Sequence, residues 1–301
     1  MTLSSVGASG KVALARALAR IEQAPDSDEV VDLLSEAYAA PVAHVVGMTG
    51  PPGVGKSTLM NALIRSWRAD GRRVACIAVD PSSRRSGGAL LGDRTRLSTD
   101  PEDQGIFVRS MAARDRLGGL AGLTVSAMVL MRALYDVVLI ETVGVGQSET
   151  EVVGVADTVL FCVQPGSGDS LQFMKAGIAE IPHVVVVTKA DMGAAARRAR
   201  ADVKGALSLA EEPAGWSIPV LMVAAMEQRG VDELVAAIDA HAAYLSEGGR
   251  LASERQAQAG AWLIEAVRER FGREGVRRAG DLRLAADDSP FRRLAELAQR
   301  L

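Results

Sequence analysis

The chain has 301 residues, with 34 Lys and Arg against 37 Asp and Glu and a formal net charge of −3; that balance argues against a broad basic surface for nucleic acid or acidic lipid. Hydrophobic residues make up 48% and charged residues 24%, the proportions of a globular enzyme, and no segment reaches the roughly 20 uninterrupted apolar residues of a membrane span. The length suits one large α/β domain with additions, or two small domains.

From residue 10 to 40 the pattern is helical. Val12, Ala15, Leu18 and Ala19 recur at three- and four-residue spacings, as do Leu33, Leu34, Ala37 and Tyr38 after a break at residues 25–28. Two short helices are expected, packed beside the main domain. Lys11, Arg16 and Arg20 interrupt the apolar residues, so this stretch reads as ordinary helix and not as a leader, and the expected location is cytoplasmic. Residues 44–48 then form a short apolar strand that runs into a glycine-rich loop. Helix is expected over 57–69, strand over 73–79 ending at Asp80, a short strand over 105–109 and helix over 124–134.

Residues 137–140, 159–163, 183–187 and 218–223 are apolar runs of strand length, with covering helices at 197–209 and 231–245. Apolar strands alternating with helices predict an α/β fold whose mainly parallel sheet is covered on both faces. Beyond residue 247 the chain is purely helical, over 251–270 and again over 290–301. The expected organisation is a helical extension (1–40), a main α/β domain (41–246) and a C-terminal helical arm (247–301), which packs either on a second subunit or on its own chain. Cys76 and Cys162 sit alone in apolar runs and are expected to be reduced core residues; with the three His far away in sequence, no zinc cluster is predicted.

Residues 50–57, Gly-Pro-Pro-Gly-Val-Gly-Lys-Ser, match the complete P-loop pattern between a strand and an amphipathic helix. The backbone N–H groups of Gly50, Gly53, Val54 and Gly55 can curl around phosphate oxygens, and the following helix adds its N-terminal dipole. Lys56 can reach the β- and γ-phosphates, the Ser57 hydroxyl can ligate Mg²⁺, and Thr58 can contact the α-phosphate. Acidic candidates follow at strand ends and in loops. Asp80 is placed to orient Mg²⁺ or water, with a turn-capping role as the alternative. Asp93, in a Gly-rich loop, is either metal-linked or the partner of Arg94 or Arg96 in a surface ion pair. Glu141 can accept a hydrogen bond from a water on Mg²⁺, and the N–H of Gly144 can contact the γ-phosphate, making that segment a switch. Residues 164–172, with Asp169, Gln172 and nearby Lys175, suit a partner-sensing loop or a plain strand–helix turn. Thr188-Lys189-Ala190-Asp191 follows a later strand; Asp191 can accept from guanine N1–H and its amino group, and the stem of Lys189 can lie across the base, favouring GTP over ATP.

These motifs together resemble the bacterial and mitochondrial GTPase family that chaperones adenosylcobalamin-dependent acyl-CoA mutases, best known for methylmalonyl-CoA mutase. The resemblance rests on residues 50–57, 78–83 (Ala-Val-Asp-Pro-Ser-Ser), 87–95, 141–149, 164–172 and 189–191, and it extends to the helical ends of the chain. It implies a homodimeric GTPase that binds the mutase and uses GTP to gate cobalamin loading and protect the mutase. It also implies that Asp80, Asp93 and Glu141 lie near Mg²⁺, and that Asp169, Gln172 and Lys175 report the nucleotide state to the mutase. Two positions depart from the family's pattern. Thr188 stands where Asn is usual, and Ala224-Ala225 stands where Ser-Ala is usual, though the Ala225 N–H can still meet guanine O6. Competing readings are a nucleotide-dependent binding module without turnover, a P-loop small-molecule kinase (the family has also been read as a kinase tied to transport of basic amino acids) and a nickel-insertion GTPase. The last calls for a His/Cys cluster that the spacing does not supply.

Overall fold

The structure is a computed structural model that describes residues 1–81, 99–113, 122–142, 152–166, 181–208 and 215–301. Its centre is a seven-stranded sheet: β1 (His44–Thr49), β2 (Val74–Pro81), β3 (Ile106–Ala113), β4 (Val137–Glu141), β5 (Thr158–Val163), β6 (Val184–Val187) and β7 (Val220–Met222), in the order β3-β2-β4-β1-β5-β6-β7. All six pairings are parallel. Parallel strands need covered faces, and the side-chain alternation divides the sheet accordingly. Val45, Ala75, Ile77, Val138 and Ile140 point to one face, where α2 (Gly10–Gln23), α3 (Asp28–Ala39) and α5 (Gly122–Leu134) pack. Val46, Met48, Cys76, Leu139, Leu160 and Cys162 point to the other, under α4 (Lys56–Ala69) and α7 (Val231–Ser246). Towards the β7 edge, Val163, Val185 and Val187 bury against α6 (Ala194–Leu207).

The expected elements are present, with differences that have local causes. A short α1 (Leu3–Ala8) precedes the two N-terminal helices, and its start is fixed by a reciprocal Thr2–Ser5 capping box. Six residues carry too little apolar periodicity to announce a helix. The edge strand β3 runs to Ala113, four residues past its expected end, in register with β2 throughout. The long C-terminal helix α8 spans Arg250–Ala279, longer than the expected 251–270; it breaks at Gly272, where φ is +69°, and then resumes. Only glycine enters that left-handed backbone region freely.

The arm lies against its own chain. After α8, α9 (Pro290–Ala298) starts at Ser289, whose hydroxyl accepts from Arg292 N–H, with Pro at the first helical position. The α9 helix packs on α3, where the Ser289 and Ser35 hydroxyls are 2.8 Å apart and Arg292 pairs with Asp32. On α8, Arg255 grips the buried Asp157 through two hydrogen bonds of 2.8 and 2.6 Å and donates to the Ala43 carbonyl at 2.8 Å. Among the described residues no helix is long and apolar enough to cross a membrane.

Candidate functional site

Because every strand runs the same way, the ends of β1, β2, β4, β6 and β7 lie along one carboxyl edge of the sheet. The chain reverses its direction of winding at β1, between β4 and β5, and open α/β folds bind ligands at such a point. Residues 50–57 leave β1 there and enter α4. Gly50 has φ +137°, and a Cβ added to it would sit 2.4 Å from the carbonyl oxygen of Cys162 on β5. The loop therefore presses backbone on backbone at that position, which only glycine permits. Gly53 and Gly55, at φ +73° and +100°, complete the curl, and Gly55 is the N-cap of α4. The unpaired N–H groups of the first turn of α4 are thus presented at the mouth of the loop.

Lys56 is buried (6% exposed), and its Nζ donates to the carbonyls of Gly50 at 2.7 Å and Pro51 at 3.2 Å, folding the ammonium inside the loop. The Ser57 hydroxyl donates to Oε1 of Glu141 at 3.0 Å across 84 residues of sequence. Glu141 is the last residue of β4 and is 9% exposed. One ammonium, one hydroxyl and one buried carboxylate thus meet at the base of the loop. Thr142 follows, its hydroxyl within reach of the Thr49 hydroxyl (3.3 Å) and the Met48 carbonyl (3.4 Å), which ties the ends of β1 and β4 together. Cys162, behind the loop, is wholly buried; burial pushes its thiol up to about 12, so it is protonated and unreactive at neutral pH.

The residues predicted to meet the base gather at the other side of the loop. The buried Thr188 hydroxyl is 2.7 Å from the carbonyl of Val54 and 3.0 Å from that of Val163. Standing where the family usually carries Asn, Thr188 turns its hydroxyl to the phosphate-loop backbone. Lys189 adopts φ +51° and lays its ammonium between the Gly53 carbonyl (3.0 Å) and Gln164 Oε1 (2.6 Å). Its stem therefore runs along the rim of the loop. Asp191 is exposed, and Ala190 N–H donates to the Val223 carbonyl at 3.2 Å, which sets residues 188–191 beside Ala224 and Ala225. Asp80 is the penultimate residue of β2, level with Ala112 of β3, at the same sheet edge. Asp93, Gly144, Asp169, Gln172 and Lys175 lie outside the described residues.

Sequence reasoning missed a polar group at the opposite edge of the sheet. The Thr158 hydroxyl sits 2.7 Å from His44 Nε2 and 2.8 Å from His241 Nδ1, and His183 stacks on His241 with ring centroids 4.3 Å apart. Val159 N–H donates to His183 Nδ1 at 2.9 Å, and the indole of Trp216 donates to the His183 carbonyl. These imidazoles are spent on hydrogen bonds, and among the described residues no group of three or more His, Cys, Asp or Glu could hold a metal ion. Burial presses His183 down to about 4 and His241 to about 3. No sequence signal joins positions 44, 183 and 241; the register of β1, β5 and β6, with α7 packed across β5 and β6, brings them together.

Comparison with known proteins places this geometry in a family. The family model described as methylmalonyl Co-A mutase-associated GTPase MeaB matches residues 14–278. A putative GTPase of Pyrococcus horikoshii is 45% identical over 223 residues, covering 71% of this chain and 68% of its own length. The mouse mitochondrial methylmalonic aciduria type A homolog is 37% identical over 233 residues, 76% of this chain and 56% of its own. Among solved structures, a LAO/AO transport system kinase superposes with a TM-score of 0.69 at 28% identity, covering 99% of this chain and 96% of that one. The match from the second helix through the long helix of the arm, over a parallel sheet carrying a complete P-loop, shows that the chain belongs to the methylmalonyl Co-A mutase-associated GTPase family.

Proposed function

We propose that this protein hydrolyses GTP, and that it uses the difference between its GTP and GDP states to chaperone an adenosylcobalamin-dependent acyl-CoA mutase. Methylmalonyl-CoA mutase is the leading candidate, with cofactor loading gated and the mutase protected. The observation that carries the enzymatic half is the meeting of Lys56, Ser57 and Glu141 at the foot of the phosphate loop, with Ser57 and Glu141 3.0 Å apart. A hydroxyl and a carboxylate oxygen at the mouth of a phosphate site form the hard-oxygen donor set that Mg²⁺ takes. Ser57 would hold the ion, with Glu141, Asp80 and Asp93 around it, and the bound ion supplies charge neutralisation on the β- and γ-phosphate oxygens.

In hydrolysis a water oxygen bonds to the γ-phosphorus, the bond to the β–γ bridging oxygen breaks, and GDP and inorganic phosphate leave. Lys56 turns from the Gly50 and Pro51 carbonyls to the phosphate oxygens and neutralises charge as it develops there. Backbone N–H groups of Gly53, Val54, Gly55 and Lys56 hold the phosphates without rearranging, which is where preorganised electrostatics acts. Thr58 meets the α-phosphate, and the Gly144 N–H meets the γ-phosphate and relaxes once it is lost. Asp191 and the Ala225 N–H read guanine, with Lys189 along the base. Thr188 supports the reading indirectly, by holding the loop. The proposed division is a GTPase domain over 41–246, a helical extension over 1–40 and a dimerisation arm over 247–301. Asp169, Gln172 and Lys175 couple the nucleotide state to the mutase.

Three measurements test the proposal. Mg²⁺-dependent GTP turnover is expected, and Lys56→Ala is expected to abolish it with little change in unfolding; unchanged turnover in that variant rejects the site. Equal kcat/KM for GTP and ATP rejects the base assignment. Co-purification with candidate cobalamin mutases, in GDP and in a non-hydrolysable GTP analogue, tests the chaperone role. Binding of no such mutase in either state rejects the partner and leaves the GTPase intact.

A further inference from the structure

On the far side of the molecule from the phosphate loop, α3, α5, α8 and α9 line a small, partly open cavity of about 20 Å³, bounded by Tyr38, Arg132, Arg255, Gln258, Trp262 and Phe291, among others. Its polar content is unbalanced. Arg132, in the last turn of α5, is 4% exposed, and its Nε is buried with no hydrogen-bond partner. The Tyr38 ring lies near the guanidinium, 5.8 Å from its carbon to the ring centroid. The neighbouring carboxylate is already spent: Asp157 takes two hydrogen bonds from Arg255 and one, at 2.7 Å, from Val45 N–H. Two guanidinium charges face one carboxylate, so one buried positive charge stands uncompensated among the described residues.

That charge persists at neutral pH. Burial, reinforced by repulsion from Arg255, brings Arg132 down only to about 10. A buried, charged guanidinium without an anion is strongly unfavourable, and the apolar walls, with Trp262 and Phe291 4.9 Å apart, raise the worth of any counter-charge. The Tyr38 phenol, which burial keeps protonated, offers a second donor in the lining. Gln258 is held away from that task, since its amide donates to the Val153 and Ala156 carbonyls.

We propose that this cavity is a binding site for one compact monoanion, a halide or a small carboxylate, held by Arg132 and Tyr38 and fastening the C-terminal arm to the GTPase core. The site is separate from the nucleotide, so its occupancy governs arm docking and not phosphate chemistry. The test uses the full-length protein in a bulky-sulfonate buffer at fixed ionic strength, titrated in turn with chloride, formate and acetate. The melting temperature is expected to rise saturably with a small anion, and ³⁵Cl NMR lines are expected to broaden with protein and sharpen when formate displaces chloride. If chloride alone acts, the ligand is a halide; if the carboxylates act more strongly, it is a carboxylate. Arg132→Met should weaken anion affinity by about tenfold or more while leaving GTP turnover unchanged. Crystals of the wild-type protein soaked in bromide give a readout that needs no variant: an anomalous peak beside the Arg132 guanidinium is expected. A melting temperature indifferent to anion identity, or only water at that position, overturns the proposal.

Discussion

Gly50 carries more of the site's geometry than its size suggests. The Cys162 carbonyl leaves no room for a methyl group there, and the backbone at φ +137° is strained for any other residue. Gly50→Ala should destabilise the fold by about 1–3 kcal/mol and cut nucleotide affinity more than it cuts stability, because the loop must shift to fit. Equilibrium unfolding beside a nucleotide titration checks both. Thr188 gives a second residue-scale prediction. With its hydroxyl between the Val54 and Val163 carbonyls, Thr188→Val should lose about 1 kcal/mol and weaken GTP and ATP binding alike, since the hydroxyl holds the loop and not the base. A loss confined to GTP, measured by paired titrations, contradicts that role. The P-loop was legible in the sequence because its chemistry is local: eight consecutive residues between a strand and a helix. The duty of Thr188 was not, because its partners lie 25 and 134 residues away.

At the scale of elements, strand identity followed from runs of Val, Ile and Leu that fit a sheet buried on both faces. Which faces they line was legible only as alternation. The failures were at ends. α1 is set by a cap in place of a periodic face, and α8 outlasts its expected end by passing through a left-handed glycine. Gly272→Ala should strain the backbone at φ +69° and destabilise the last turns of α8. Faster amide hydrogen exchange over 273–279, with that over 250–270 unchanged, is the expected signature.

For the whole molecule, the joint between arm and core is built on buried charge. Arg255 and Asp157 are 12% and 1% exposed, and removing one partner of such a pair leaves the other stranded. Arg255→Met should cost about 3–5 kcal/mol and free α8 to exchange, measured by denaturant unfolding and hydrogen exchange. The same joint sets a pH response. His44, His183 and His241 are all lowered from 6.5, burial being the first cause, so the folded state keeps them neutral while the unfolded chain protonates them. Below 6.5 the unfolded state binds more protons, so their contribution is fully present above 6.5 and is lost as pH falls towards about 4 for His183 and about 3 for His241. The slope is up to about 1.4 kcal/mol per pH unit for each imidazole. Asp157 is lowered as well: burial pushes it up, but Arg255 outweighs that, so its contribution holds above 3.8 and fades below. The melting temperature should therefore fall between pH 6.5 and 4, and His183→Gln should flatten that slope. This group was invisible in the sequence, whose histidines stand 139 and 58 positions apart (44 to 183 and 183 to 241).

Three consecutive residues at the end of β5 serve as a common abutment. The Cys162 carbonyl bears on Gly50, the Val163 carbonyl receives the Thr188 hydroxyl, and Gln164 receives the Lys189 ammonium. On the proposed function, a phosphate drawing Lys56 and its loop inward, or a base shifting Lys189, would push on the same short lever. In sequence, residues 165–175 follow that lever directly and include the proposed mutase-sensing positions, so on the proposed function one stretch of chain would carry a change of guest at either end of the nucleotide.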